Sequence, residues 1–288
     1  MRSLTETQVG WSFLRSRRWI GYFALLVIFS IACVYLGNWQ FDRRAEARAE
    51  IARIDKNYDA PPVEVAEALP NLEAFDEDAN KWLSITMTGS YLDEAVLARN
   101  RPGPDGVGAD IIDAFQLTDG RVFFVDRGWV LANGTEIDEA LETLPARPEG
   151  EVTVVARLRA SEPQISGRSA SGRSVASINL TEIADLIGVD GEVYTGAYGM
   201  LVSETPSGEH GQLPTRPERD EGPHLSYALQ WYVFIIIAAI GVVYAARQEY
   251  KNLNAGSDRV LADEAKQEER RKRRGLSDAD EEDALLDA

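Results

Sequence analysis

Trp19-Ile20-Gly21-Tyr22-Phe23-Ala24-Leu25-Leu26-Val27-Ile28-Phe29-Ser30-Ile31-Ala32-Cys33-Val34-Tyr35-Leu36-Gly37-Asn38-Trp39-Gln40-Phe41 carries no formal charge. Such a run exceeds the roughly 20 apolar residues that cross a hydrocarbon layer about 30 Å thick. A second run, Gly222 to Ala246, contains no charged residue apart from His224. The pair predicts an α+β membrane protein in which N- and C-terminal transmembrane helices flank a β-rich outer domain. The division is 1–18 for a cytoplasmic N-terminus, 19–41 for the first span and 42–221 for the extracytoplasmic domain. It continues with 222–246 for the second span and 247–288 for a charged cytoplasmic tail, partly disordered. The first run is too long for the apolar region of a signal peptide, and no small-residue cleavage site precedes Asp42. Cys33 follows Ser30-Ile31-Ala32, but apolar Val34-Tyr35-Leu36 comes next, where a lipoprotein would present a polar mature terminus.

Basic residues beside the spans set the orientation, because short positively charged flanks stay on the cytoplasmic side. Arg15, Arg17 and Arg18 precede the first span, and Arg247 and Lys251 follow the second. Both termini are therefore expected in the cytoplasm. The localisation that follows is the cell (plasma) membrane, with the chain multi-pass.

The net charge of −17 is concentrated in residues 42–221. An acidic exterior repels nucleic acid and anionic lipid, and it suits solubility or basic partners. Cys33, the single cysteine, lies within the first span, so the outer domain has neither a disulfide nor a thiolate metal site. Met87 and Met200 are isolated and read as core filler. Cuprous copper, which needs clustered soft ligands, is not an expected cargo.

Within the outer segment, Asp42 to Tyr58 mixes charge with alanine and should extend the first helix until Pro61-Pro62 stops it. Alternating runs rich in β-branched and aromatic residues predict strands at Trp82–Thr88, Ala95–Arg99, Ile111–Leu117, Val122–Val130, Val152–Leu158 and Val193–Val202. Asp119-Gly120 marks a hairpin turn between two of them. Leu180 to Ile187 has helical apolar spacing. Arg101–Ala109 and Ser161–Ser174 are rich in Gly, Pro, Ser and Arg, and neither has the strand–turn–helix context of a phosphate loop. His210 falls in the Gly/Pro/Glu-rich stretch 204–222 and reads as a loop residue. From Asn252 the tail is polar, with a helical segment ending in Arg270-Arg271-Lys272-Arg273-Arg274. That cluster suits solvent or anionic lipid headgroups.

Three motifs carry chemistry. In a helix, His224, Tyr227, Ala228 and Trp231 share one face. A small residue between aromatics beneath a histidine leaves room for a flat ring, and imidazole is a common axial ligand of haem iron. The same residues also suit a helix cap with aromatic-belt anchors. Leu36-Gly37-Asn38-Trp39-Gln40-Phe41-Asp42-Arg43-Arg44 ends the first span. There Gly37 permits close helix approach, while Arg43 and Arg44 can meet carboxylates. In Asp126-Arg127-Gly128-Trp129-Val130, glycine inside a strand implies a bulge or a close backbone approach, and Arg127 reads as an ion-paired structural residue. No serine, cysteine or histidine triad can be assembled in the outer segment, and nothing marks a catalytic carboxylate pair.

In this order the motifs resemble the Surfeit-locus family of cytochrome c oxidase assembly factors. The resemblance rests on Leu-Gly-x-Trp-Gln-x-x-Arg-Arg (Leu36 to Arg44), Gly-x-Tyr (Gly89 to Tyr91), Asp126 to Val130, and His-Leu-x-Tyr-Ala-x-x-Trp (His224 to Trp231). It covers Gly21 to about Val243. A segment that reads Pro-Gly-Tyr-like in many relatives is Gly106-Val107-Gly108-Ala109-Asp110 here. The resemblance implies a non-enzymatic factor that helps haem a enter oxidase subunit I. It further implies haem a as a transient cofactor, with His224 ligating the iron, Tyr227 and Trp231 as pocket walls, and Arg43, Arg44 or Arg127 meeting the propionates. Expected partners are oxidase subunit I, other oxidase or supercomplex subunits, the haem a synthesis machinery and membrane lipid, with no nucleic acid. A haem-independent scaffold or accessory subunit is the alternative, and an enzyme of haem a synthesis is a third class.

Overall fold

The computed structural model describes residues 10–132, 137–168, 170–255 and 257–274. The chain divides into two compact units, one made from its two ends (up to Ala45 and from Gly222) and one from Glu46–Glu221. In chain order, α1 (Arg17–Asn57) precedes β1 (Val63–Glu64), α2 (Val65–Ala68), α3 (Glu77–Asn80), β2 (Ser84–Gly103), β3 (Gly106–Leu117) and β4 (Val122–Val130). Then follow α4 (Ile137–Glu142), β5 (Val152–Ala160), β6 (Ser174–Val175), α5 (Leu180–Ile187), β7 (Ala197–Thr205), α6 (His224–Leu253) and α7 (Asp258–Arg274).

Helices α1 and α6 are both long and apolar enough to cross a membrane. Their apolar side chains, Ile28, Ile31, Ile236 and Ile240 among them, are exposed on the protein surface, as lipid-facing positions should be. At the end of this pair that carries the N-terminus, the packing is aromatic and dense. Trp19 is almost wholly buried, its indole N–H donates to Glu249 at 3.2 Å, and Arg18 pairs with the same carboxylate. Trp11 stacks on Tyr250 with ring centroids 4.4 Å apart. Beyond α6, α7 contains the helical segment expected before the basic cluster. The expected disordered acidic terminus lies outside the described residues.

As the charge–alanine pattern predicts, α1 continues past Asp42. An Arg53–Glu50 pair at 3.0 Å lies one turn apart along it, and it ends at Asn57, before the two prolines. Asn57 is buried, and its amide donates to the carbonyls of Ala79 and Lys81 at 3.2 and 2.8 Å. The helix end is thereby tied to the start of the strand region.

The β-rich unit is built around one long strand. From Ser84 to Gly89, β2 pairs antiparallel with β5, and from Gly89 onward it pairs antiparallel with β3. The order β2-β3-β4-β7-β5 then returns to β2, with β4–β7 the one parallel pair in the ring. This closes a five-stranded Greek-key barrel of the kind seen in OB folds, a closure that removes exposed sheet edges. β1 and β6 add short parallel pairings to β2.

Residues of β4 alternate between two apolar layers, as strand geometry requires. Phe123 and Val125 join Ile85, Met87, Phe115, Val154 and Leu201, while Val122 and Phe124 join Val96, Ile112 and the α5 residues Leu180 and Ile183. Helix α5 matches its expected span. Asn179 caps it by accepting the Glu182 N–H at 3.0 Å. Met87 is core, as expected.

Three strand expectations change. Ser84–Thr88 of the first expected strand and Ala95–Arg99 become parts of one strand, because bulges near Tyr91/Ala95 and Arg99/Arg101 let β2 bend without breaking, while Trp82 and Leu83 precede it. The last strand starts at Ala197 rather than Val193, which makes only an isolated bridge to Val122. Arg101–Ala109 is a β-hairpin, since Pro102 and Gly103 still pair with Val107 and Gly106. The Asp119-Gly120 turn does join β3 to β4, with Gly120 at φ +89°.

The glycine expected to mark a bulge does so. Asp110 pairs with Trp129 and Ile112 with Asp126, so Arg127 and Gly128 together oppose the single residue Ile111. Gly128 has φ +100°, and a Cβ there would lie 2.8–2.9 Å from the Gly211 and Gln212 backbone. Only glycine fits.

Candidate functional site

The unit formed by the chain ends brings His224 to the last turns of the apolar part of α1. The imidazole Nδ1–H donates to Gln40 Oε1 at 2.8 Å across 184 positions of sequence. A ring held this way has its proton on Nδ1, which leaves the Nε2 lone pair as the ligating position. His224 is half-buried, and Ala228, one turn later, is fully buried. The backbone is shaped around the ring as well: Gly222 has φ +68°, and a Cβ there would stand 3.3 Å from His224 Nε2.

Ala228 marks the side of α6 that packs on α1. Tyr227 is turned away from it and exposed, and Trp231 is half-buried, its ring edge-on to Phe234 at 5.8 Å. Tyr227 and Trp231 therefore border His224 on one side of the helix rather than enclosing it. On the other side stands Tyr232, which sequence reasoning did not single out. Its hydroxyl donates to Asn38 at 3.0 Å. Its ring lies so close to Gly37 that a Cβ there would meet it at 2.9 Å, so this glycine makes room for a tyrosine ring rather than for the backbone of the other helix. Gln40 and Asn38 were visible in their motif, but nothing local marked them as partners of α6.

Arg43 and Arg44 follow Gln40 at i+3 and i+4, so all three share one face of α1. Arg43 is exposed and Arg44 half-buried, and both already make polar contacts. They remain suitable for an anionic group near the helix end.

Arg127 does not belong to this set. Its side chain is 1% exposed and lies inside the barrel unit. The guanidinium pairs with Asp113 at 3.3 Å and Glu204 at 3.0 Å, donates to the Glu209 carbonyl, and covers the Tyr91 ring at 4.9 Å. Asp113 is shared with Arg147 at 2.8 Å, and Tyr91 donates its hydroxyl to Glu204 at 2.7 Å. Burial, and then the Glu204 carboxylate, push the Tyr91 hydroxyl far above its ordinary range. The guanidinium is thus ion-paired on both terminal nitrogens, while its buried Nε makes no hydrogen bond. Arg127 instead fastens β4 to β3 and β7, the structural role its motif also allowed. His210 lies in a loop, its Nδ1 2.6 Å from the Gly211 carbonyl.

A single imidazole oriented by a hydrogen bond is a donor of the kind that haem iron accepts. His224 would hold the iron, and Arg43 and Arg44 would be the side chains to meet its carboxylates.

Two membrane-length helices and a β-barrel unit give the chain the architecture of a membrane protein with a folded domain outside its spans. A profile of the SURF1 family matches residues 27–236, and the chain belongs to that family, whose general role is cytochrome oxidase assembly. SURF1-like proteins of Mycobacterium bovis and of Mycobacterium tuberculosis strain H37Rv are each 34% identical over 246 residues, covering 83% of this chain and 88% of theirs. A SURF1-like protein of Rickettsia conorii is 23% identical over 234 residues, covering 78% of this chain and 91% of its own.

Proposed function

We propose that the protein assists haem a insertion into subunit I of cytochrome c oxidase by transiently ligating the haem iron through His224. The observation that carries this reading is the His224–Gln40 hydrogen bond at 2.8 Å. Outer-sphere hydrogen bonds of this kind orient ligating histidines and raise their basicity. A histidine serving only as a helix cap has no need of a fixed tautomer. When bound, haem a supplies the iron and the carboxylates. The chain supplies an axial nitrogen from His224, its orientation from Gln40, an aromatic border from Tyr227 and Trp231, and cations from Arg43 and Arg44.

In this reading the protein sits in the plasma membrane with both termini cytoplasmic, supported by the arginines before α1 and the Arg247 and Lys251 positions at the end of α6. The barrel unit then faces outward, and oxidase subunit I and neighbouring oxidase or supercomplex subunits are the partners. No catalytic step is assigned to the chain.

The test is the oxidase made in cells whose only copy carries His224→Ala. Haem transfer requires that oxidase subunits still co-purify with the variant while subunit I contains much less haem a than with the wild type. A haem-independent scaffold would instead give subunit I with normal haem content.

A further inference from the structure

The barrel unit contains a second polar site, separate from the His224 reading. A cavity of about 560 Å³ opens between the β2–β3 hairpin, β4, β7 and the 212–215 segment. It includes two deeply buried groups whose polar atoms are not fully used. Asp126 is 6% exposed. One of its carboxylate oxygens accepts the Gly128 N–H at 2.9 Å, and the other accepts nothing from the described residues. Tyr198 is 5% exposed, and its hydroxyl has no hydrogen-bond partner among the described residues.

The local charge is unbalanced toward acid. Arg101 is held between Glu162 at 2.6 Å and Asp110 at 3.4 Å, while Glu162 also accepts the Ile178 N–H at 2.9 Å. Arg101 is thus committed, and Asp126 has no cation of its own. The remaining guanidinium, Arg159, lies over the Trp82 ring at 4.4 Å and is paired with no carboxylate among the described residues. Trp129, Met200 and Leu213 add apolar wall to the same cavity.

We infer that this cavity is a recognition site for a basic side chain of a partner polypeptide. The cationic head pairs with Asp126 and bonds the Tyr198 hydroxyl, while the aliphatic stem lies along the apolar wall. A neutral ligand would leave the surplus carboxylate uncompensated, and an anion would meet three acids against two arginines. A compact metal cation would not use the apolar wall. Cation–aromatic attraction adds to the ion pair.

The titration behaviour agrees. Burial first, and then the Asp110 charge, push Asp126 up to about 7, and burial raises Asp110 to about 6. Asp126 is faced by Asp110 and Asp113 of β3, Arg101 of β2, and Tyr198 of β7. An arriving cation replaces the proton on Asp126, so binding weakens as pH falls through about 7.

The test is calorimetric titration of the detergent-solubilised full chain with Nα-acetyl-arginine methylamide and with its neutral isostere, the citrulline analogue. Each titration is run in two buffers of different ionisation enthalpy. The expected result is arginine binding that releases about half a proton at pH 7 and is roughly tenfold tighter at pH 8 than at pH 6. The citrulline analogue should bind at least about tenfold more weakly, a difference of about 1.4 kcal/mol. Asp126→Asn should release no proton and lose the pH dependence, and Tyr198→Phe should weaken binding while keeping proton release. Absence of arginine binding, equal binding of the citrulline analogue, or binding without proton release in the wild type would each overturn the proposal. None of these outcomes bears on His224.

Discussion

The segments around Arg127 and His224 are equally conspicuous in the sequence, yet the structure uses their nitrogen-bearing side chains in opposite ways. Arg127 is enclosed and pairs with two carboxylates. His224 is half-buried, and one of its nitrogens is fixed by Gln40 while the other has no hydrogen bond from the described residues. A charged residue buried between carboxylates of its own fold holds that fold together; one that is oriented at one atom and half-exposed is placed to meet something else. The contrast separates stability from function, and mutation can test it at both ends.

The largest expected effect is at Arg127. Arg127→Met leaves Glu204 buried without its cation and Asp113 with Arg147 alone, and removal of one partner from a buried pair costs about 3–5 kcal/mol. Chemical denaturation of the full chain should register a loss of that size, while haem bound per folded molecule stays unchanged. His224→Ala should do the converse. Haem binding should fall below detection, and denaturation should move by less than about 1 kcal/mol, since a half-buried surface position is being truncated. Gln40→Ala keeps the ligand but frees its ring, so haem affinity measured by competition should drop roughly tenfold.

The smallest effect concerns Asp126. A carboxyl raised to about 7 in the folded state holds its proton more tightly there than in the unfolded chain. Its contribution to stability is therefore full at acid pH and lost as pH rises through about 7. Asp126→Asn should flatten that part of the stability–pH curve. An unchanged slope would show that Asp126 does not titrate in this range.

Much of this contrast was legible in the sequence. The spans, the outward extension of α1, most strands and α5 follow from patterns within a few residues: charge-free length, period-two or helical spacing, and caps. Closure of the barrel was not legible, because β2 pairs with β5 63 to 73 positions later and local alternation does not name a strand's partner. His224 stood out as a lone charge-capable group in an apolar run, but Gln40 acquires its meaning only from a helix at the other end of the chain. The resemblance offered Arg127 as a propionate contact, and its burial between two carboxylates could not be read from the motif. One local hint existed in Ile111-Ile112-Asp113-Ala114-Phe115, where a carboxylate among apolar residues signals a buried cation opposite.

The most direct measurement is the visible absorption spectrum of the purified protein after co-expression with the haem a pathway, recorded for wild type and His224→Ala. The account predicts a haem a spectrum for the wild type, lost in a variant that elutes as the same monodisperse species. Equal colour in both, or two colourless proteins under conditions that load haem a into the oxidase itself, would contradict it.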